Sequence, residues 1–139
     1  MKPLAIVTGV GPGTGSALVH RFHDGGYQVA MLARDARRLE KLEAELPNAF
    51  AVPCDVADPA ALKRSLELIE NRAGPPKVAI HNAVGGAFAN FLEVDADVIP
   101  RTFKIHVLAW LHLARLAASS WEKAGGGDCS VTGNTSRPA

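Results

Sequence analysis

The stretch Thr8-Gly9-Val10-Gly11-Pro12-Gly13-Thr14-Gly15-Ser16 has the composition best suited to chemistry. Glycines let a backbone turn sharply and let a pyrophosphate approach with no Cβ in the way. A helix starting directly behind them would add free N–H groups and a partial positive charge for the same anion. The spacing is not G-x-G-x-x-G. Counted from Gly9, Gly11 or Gly13, the last place falls on Thr14, Ser16 or Leu18. It fits T-G-x-x-x-G-x-G through Gly9, Gly13 and Gly15, with Thr14 and Ser16 as hydroxyl donors to phosphate. A glycine loop alone is weak evidence, since any tight turn between a strand and a helix uses glycine, so its setting decides.

That setting is an alternation of two kinds of segment. Short apolar runs at Leu4–Thr8, Gln28–Ala33, Ala49–Pro53 and Lys77–His81, with a weaker fifth at Cys129–Gly133, suit strands buried on both faces of a parallel sheet. Longer segments between them have helical spacing. Ser16 to Asp24 sets Ala17, Leu18 and Phe22 near one face, and after Asp35 the leucines Leu39, Leu42 and Leu46 recur at steps of 3 and 4. Asp58 followed by Pro59 reads as a cap with proline at the first helical position, and Leu62, Leu66 and Ile69 line one side of the helix they open. A long fourth segment from about Asp97 to Trp121 carries Val107, Leu108, Leu111, Leu113 and Leu116. Gly25-Gly26, Pro47-Asn48, Gly74-Pro75-Pro76 and Gly125-Gly126-Gly127 end the four helices. Right-handed crossovers then make this βαβαβαβαβ chain an α/β, doubly wound parallel sheet with helices on both faces.

With 139 residues there is room for one domain, 1–139, and not for two. Fifteen Lys+Arg against 14 Asp+Glu, with no basic block, argue against a nucleic-acid partner. No apolar run is long enough to span a membrane. The opening apolar run breaks into glycines too early for a signal peptide. Two cysteines, Cys54 and Cys129, form neither a metal spacing nor a disulfide framework, and read as reduced thiols of a cytoplasmic protein.

The glycine loop in this position resembles that of the short-chain dehydrogenase/reductase family, and further matches come in order along the chain. Asp55-Val56, after the third strand, resembles the family's Asp-Val pair at the adenine. His81-Asn82-Ala83-Val84-Gly85, after the fourth, resembles its Asn-Asn-Ala-Gly stretch beside the cofactor, so Asn82 and Ala83 would line the nicotinamide side. The resemblance covers essentially the whole chain. It implies a Rossmann-like sheet of about five strands in the order 3-2-1-4-5, a bound dinucleotide, and hydride transfer to or from a small carbonyl or alcohol. In the family's register the end of the second strand selects the dinucleotide. A carboxylate there holds the ribose hydroxyls of NAD and repels the 2′-phosphate of NADP. Here Ala33 takes the acidic position and Arg34 follows, a guanidinium fork suited to phosphate. NADP is therefore expected ahead of NAD. The plainer reading makes Arg34 a solvated charge and Asp35 a helix cap, while Asp35, one place late for the ribose, could still reach it. Arg37 and Arg38 read as exposed helix charges, either of which could assist a phosphate.

The family's reaction uses a Tyr with a Lys four residues on, a Ser, and an Asn on the fourth helix. This chain has one tyrosine, Tyr27, followed four places later by Met31, so Tyr-x-x-x-Lys is absent. Thr135 stands at the serine position, with Ser136 as the shifted alternative, and His106 at the asparagine position. These two are the remaining catalytic candidates. Family members run on well past the length of this chain, so the expectation is a cofactor-binding part, not competent in catalysis alone. Three origins fit: an interrupted gene product, an excised part of an enzyme, or a short protein that only binds nucleotide or serves as an interaction module. Five histidines suggest metal, but His20 with His23 lacks a third ligand and His106 with His112 lies on different faces, so no metal is expected. Cys129 reads as a small buried hydrophobe. Phe88 and Phe91 are either substrate walls or loop anchors. Trp110 and Trp121 are either core or part of an intersubunit surface, since in the family this helix commonly packs on a second subunit. The fifth strand would end as an uncovered edge, so a homo-oligomer is expected.

Overall fold

The computed structural model describes residues 1–86 and 89–133. Five strands form one parallel sheet: β1 (Leu4–Thr8), β2 (Gln28–Ala33), β3 (Ala49–Pro53), β4 (Val78–His81) and β5 (Asp128–Val131). Their order is β3-β2-β1-β4-β5, as the resemblance implied. Central β1 shows why its sequence has no polar alternation. Ile6 is paired with Ala30 of β2 and Ala79 of β4, and every residue from Leu4 to Thr8 is buried.

Helices cover both faces. On one, α1 (Thr14–Asp24) and α2 (Ala36–Glu45) bring Val19, Leu39 and Leu42 against Val7, Val29 and Met31. On the other, α3 (Pro59–Ala73) packs Leu62, Leu66 and Ile69 on Ile6, Leu32 and Phe50. Fully covering a leucine or isoleucine of this kind stabilises the fold by about 2 kcal/mol. The caps are local. The Asp35 carboxylate accepts the Arg38 N–H at 3.2 Å, and the Asp58 carboxylate accepts those of Ala60 and Ala61.

The long fourth segment is one helical rod in three pieces. These are α4 (Val98–Phe103), a π turn (Lys104–Leu108) and α5 (Ala109–Ala124), ended by left-handed Gly125 at φ +83°. Its inward face is set by alanines as much as by large apolar residues. Ile105, Ala109, Leu113 and Ala117 are buried, while Val107 and Leu111 are exposed. Small alanines bring α5 close to the sheet, and a pattern scored on large apolar side chains misses them. Three smaller differences stand beside it. The first helix starts at Thr14 and turns Ala17 outward, β4 starts at Val78, and Cys129 is only partly buried on the outer strand. Among the described residues β5 pairs with β4 alone, and Val131 is exposed. None of the described helices is long and apolar enough to cross a membrane.

Candidate functional site

Strand order reverses between β1 and β4. The crossover from β1 leads to β2 on one side, and the chain returns from β3 through α3 to β4 on the other. Open α/β sheets leave a crevice at the carboxyl ends of strands at this point. Here it is knit by buried polar groups. The Asn82 N–H donates to Thr8 Oγ1 at 3.1 Å, and the Thr8 hydroxyl donates to His81 Nδ1 at 2.9 Å. His81 Nε2–H donates to the Ile105 carbonyl at 2.8 Å, a tautomer fixed by this network. The Asn82 side chain donates to Gly9 O at 3.0 Å and accepts from Thr132 Oγ1 at 2.7 Å. Burial pushes the His81 imidazole below its ordinary pKa and nearby His106 adds to this, while the bond to Ile105 opposes it.

The glycine loop divides into two pairs. Gly9 has φ +68°, and a Cβ there would collide with the backbone of Asn82 and Ala83. A Cβ on Gly15 would collide with Gly9 O. These two glycines pack backbone on backbone. Gly11 and Gly13 face open space, with nothing within 4 Å of an added Cβ. Gly13 precedes α1, whose start carries no side-chain cap. The first turn of that helix thus ends beside an open surface made of backbone, with Thr14 exposed and Ser16 half-buried.

From the loop a cleft of about 300 Å³ runs across the strand ends. Gly9 and Gly11 form one wall, Ala33, Arg34, Asp35 and Arg38 another, and Asp55 with Val56 a third; Ala83 and Ile105 close it. The structure therefore gathers Gly9, Ala33, Arg34, Asp55, Val56 and Ala83 around one hollow. Gly13, Thr14, Gly15, Ser16 and Asn82 stand outside its walls, the first four at the α1 start and Asn82 turned into the polar network.

Electrostatics divide the cleft into two ends. At the β2 end the Asp35 carboxylate caps α2 and lies 3.7 Å from the Arg38 guanidinium, offsetting part of its charge, so Arg34 and Arg38 against one carboxylate leave this end net positive. At the β3 end Asp55 accepts the Ala57 N–H at 3.0 Å and the Arg101 guanidinium at 3.1 Å. Partial burial pushes the Asp55 carboxyl up. The Ala57 and Arg101 bonds, with charge from Arg101 and Arg34, outweigh it and hold the group below its ordinary value. Cys54 also lines the cleft, where burial pushes its thiol above the ordinary pKa and a hydrogen bond with Ser65 opposes the shift.

A sequence model of the family described as short chain dehydrogenase matches residues 3–137. The chain belongs to the short chain dehydrogenase family. It is similar to D-erythrulose reductase of Gallus gallus, at 32% identity over 114 residues, covering 82% of this chain and 45% of that protein. It is similar to human L-xylulose reductase at 29% identity, covering 81% of this chain and 45% of that one. Among solved structures, the alcohol dehydrogenase of the archaeon Thermococcus sibiricus, complexed with 5-hydroxy-NADP, superposes with a TM-score of 0.85 at 24% identity, over 94% of this chain and 57% of that one. The chain spans a little under half the length of the curated relatives named here.

Against that family frame, the remaining chemistry is sparse. His106 lies outside the cleft, with Nε2 placed 2.9 Å from Gly85 O and 3.0 Å from Gly85 N. It pins the turn after β4 to the π turn, donating when that nitrogen is protonated and accepting when it is not. Thr135, Ser136 and Phe88 lie outside the described residues. Phe91 is exposed. Tyr27 packs edge-on against Phe22, ring centroids 5.1 Å apart, on the α1 side of the sheet. Among the described residues, no three His, Cys, Asp or Glu side chains are grouped to hold a metal. Sequence reasoning passed over Arg101 as a contributor to the site and offered Arg38 first as an exposed helix charge and second as an aid to a phosphate. Arg38 was within reach, three places after a helix-capping Asp. Arg101 was not, because it reaches Asp55 from 46 residues away.

Proposed function

We propose that the cleft binds NADP(H) as the cofactor-holding part of a carbonyl/alcohol oxidoreductase. The observation that carries the reading is the β2 end of the cleft. Arg34 and Arg38 line the wall beside Ala33, which in the family's register takes the acidic position, and Asp35 is occupied as a cap. Two guanidinium groups match a 2′-phosphate and offer nothing comparable to a bare ribose diol. In this reading the diphosphate rests on the loop of Gly9, Gly13 and Gly15 and the first turn of α1, with Thr14 and Ser16 donating. Asp55 and Val56 receive the adenine, and Asn82 and Ala83 flank the nicotinamide. The similarity to two ketose-sugar reductases supports a small carbonyl or alcohol as the reacting partner.

A second reading, a nucleotide-binding or interaction module without turnover, is favoured by one observation. The single tyrosine of the chain is packed on Phe22 and has no lysine four places on. Under the oxidoreductase reading, Thr135 and His106 are the catalytic candidates this segment offers. Cytoplasmic residence is supported by two free cysteines. Self-association is supported by the outward apolar stripe of Ile99, Phe103, Val107 and Trp110.

Calorimetric titration of the 139-residue chain with NADP and NAD tests the central reading. NADP should bind about tenfold more tightly or better. Equal affinity would remove the phosphate assignment, and no binding of either would remove the function. A carbonyl panel run on the same sample separates the two readings, since any turnover excludes the module. Sedimentation of that sample as a monomer at high concentration would exclude the oligomer.

A further inference from the structure

Asp55 has both carboxylate oxygens engaged: Oδ1 by the Ala57 N–H, Oδ2 by the Arg101 guanidinium. Arg101 belongs to α4, so the pair is a strap from the end of β3 to that helix. Both side chains are about half exposed, at 49% and 39%, and such a pair adds little to folding stability. What it does fix is direction. A carboxylate has about four acceptor positions. Ala57 takes one and Arg101 another, on different oxygens, which sets the plane of the group. The lone pairs that remain belong to a residue lining the cleft. Arg101 itself lines two other hollows, one shared with Lys104 and the other with Arg34, and is not a wall of the cleft that holds Asp55 and the glycine loop.

We propose that Arg101 is a positioning residue for base recognition: it clamps the Asp55 carboxylate so that its free lone pairs meet the exocyclic amino group of adenine. This rests on the dinucleotide reading above. Asp55 is then an acceptor-only group facing the one purine position where adenine carries a donor and hypoxanthine a carbonyl oxygen. The guanidinium makes the carboxylate rigid, and rigidity turns an acceptor into a discriminator, because the wrong base meets a fixed negative group.

The test compares NADP with its hypoxanthine analogue, by calorimetry on wild type, Arg101→Gln and Arg101→Lys. Wild type should bind the adenine form about tenfold more tightly. Arg101→Gln should reduce that preference to about threefold or less while leaving the NADP-to-NAD ratio unchanged, and Arg101→Lys should restore part of it. Raising the salt concentration screens a half-exposed pair and should shrink the same preference in wild type, a reading that requires no variant to fold. A preference fully kept by Arg101→Gln overturns the proposal, as does one insensitive to salt. Equal binding of both bases by wild type overturns it too and leaves the dinucleotide reading standing. Failure of wild type to bind any dinucleotide overturns both.

Discussion

His81 Nε2 lies 2.8 Å from the carbonyl oxygen of Ile105, and the π turn makes that carbonyl available. In an α-helix Ile105 O would accept the Ala109 N–H. Here the Ala109 N–H donates one residue further back, to Lys104 O, and the imidazole takes the vacated acceptor. One extra residue in a helical turn is thus tied to the switch point of the sheet, through a histidine where the family pattern has asparagine.

An acid-side loss of stability should result. The neutral imidazole is the form the fold accommodates: its pKa is depressed by burial and by His106, against the Ile105 bond. The unfolded chain takes a proton below about pH 6.5, whereas the folded chain resists it. The contribution is therefore complete above pH 6.5 and is lost as pH falls toward the depressed folded value. Within that window one such group costs up to about 1.4 kcal/mol per pH unit. Urea unfolding between pH 7.5 and 5 should show a steeper decline for wild type than for His81→Asn, although the variant starts about 1–3 kcal/mol lower from its broken bonds. Parallel curves would disprove the role given to His81.

The two pairs of loop glycines should separate stability from binding. Gly9→Ala places a Cβ at positive φ against Asn82 and Ala83, so it should cost about 2 kcal/mol or more, and binding should fail with it. Gly13→Ala meets no atom within 4 Å, so stability should change by about 1 kcal/mol at most. Its new methyl group would still occupy the approach to the loop and weaken NADP by about tenfold or more. Thermal unfolding paired with titration reads both quantities. A Gly13→Ala protein that binds like wild type would show that the diphosphate does not rest there.

Dinucleotide preference should be portable. Ala33→Asp combined with Arg34→Ala restores a carboxylate at the end of β2 and removes one cation. The NADP-to-NAD affinity ratio should fall by about 10- to 100-fold, nearly all of it from weaker NADP. Arg38→Ala alone should produce a smaller drop in the same direction, because it removes the second guanidinium of that wall. A ratio untouched by the double substitution would make Arg34 a plain surface charge.

How much of this was legible beforehand depends on distance along the chain. Strand and helix identities were readable because each is written locally: β1 as an unbroken apolar run, α3 as Asp58-Pro59 ahead of leucines at helical steps. The glycine loop was readable for the same reason, although its split into packed and open pairs required knowing what lies opposite each Cα. The inner face of α5 was not legible because Ala109 and Ala117 carry little apolar signal and yet are buried. The Asp55–Arg101 and His81–Ile105 contacts join residues 46 and 24 positions apart, and no spacing rule connects such pairs before the fold does.

The hydroxyl–imidazole contact between Thr8 and His81 spans 73 positions, and that span bears on refolding kinetics. Its two halves cannot meet until the first and fourth strands are side by side, which in an all-parallel sheet is a slow, non-local event. The nucleotide hollow straddles that same seam, so a ligand finds its site only in the assembled chain. A bound dinucleotide should consequently lengthen the lifetime of the native chain without hastening its arrival there.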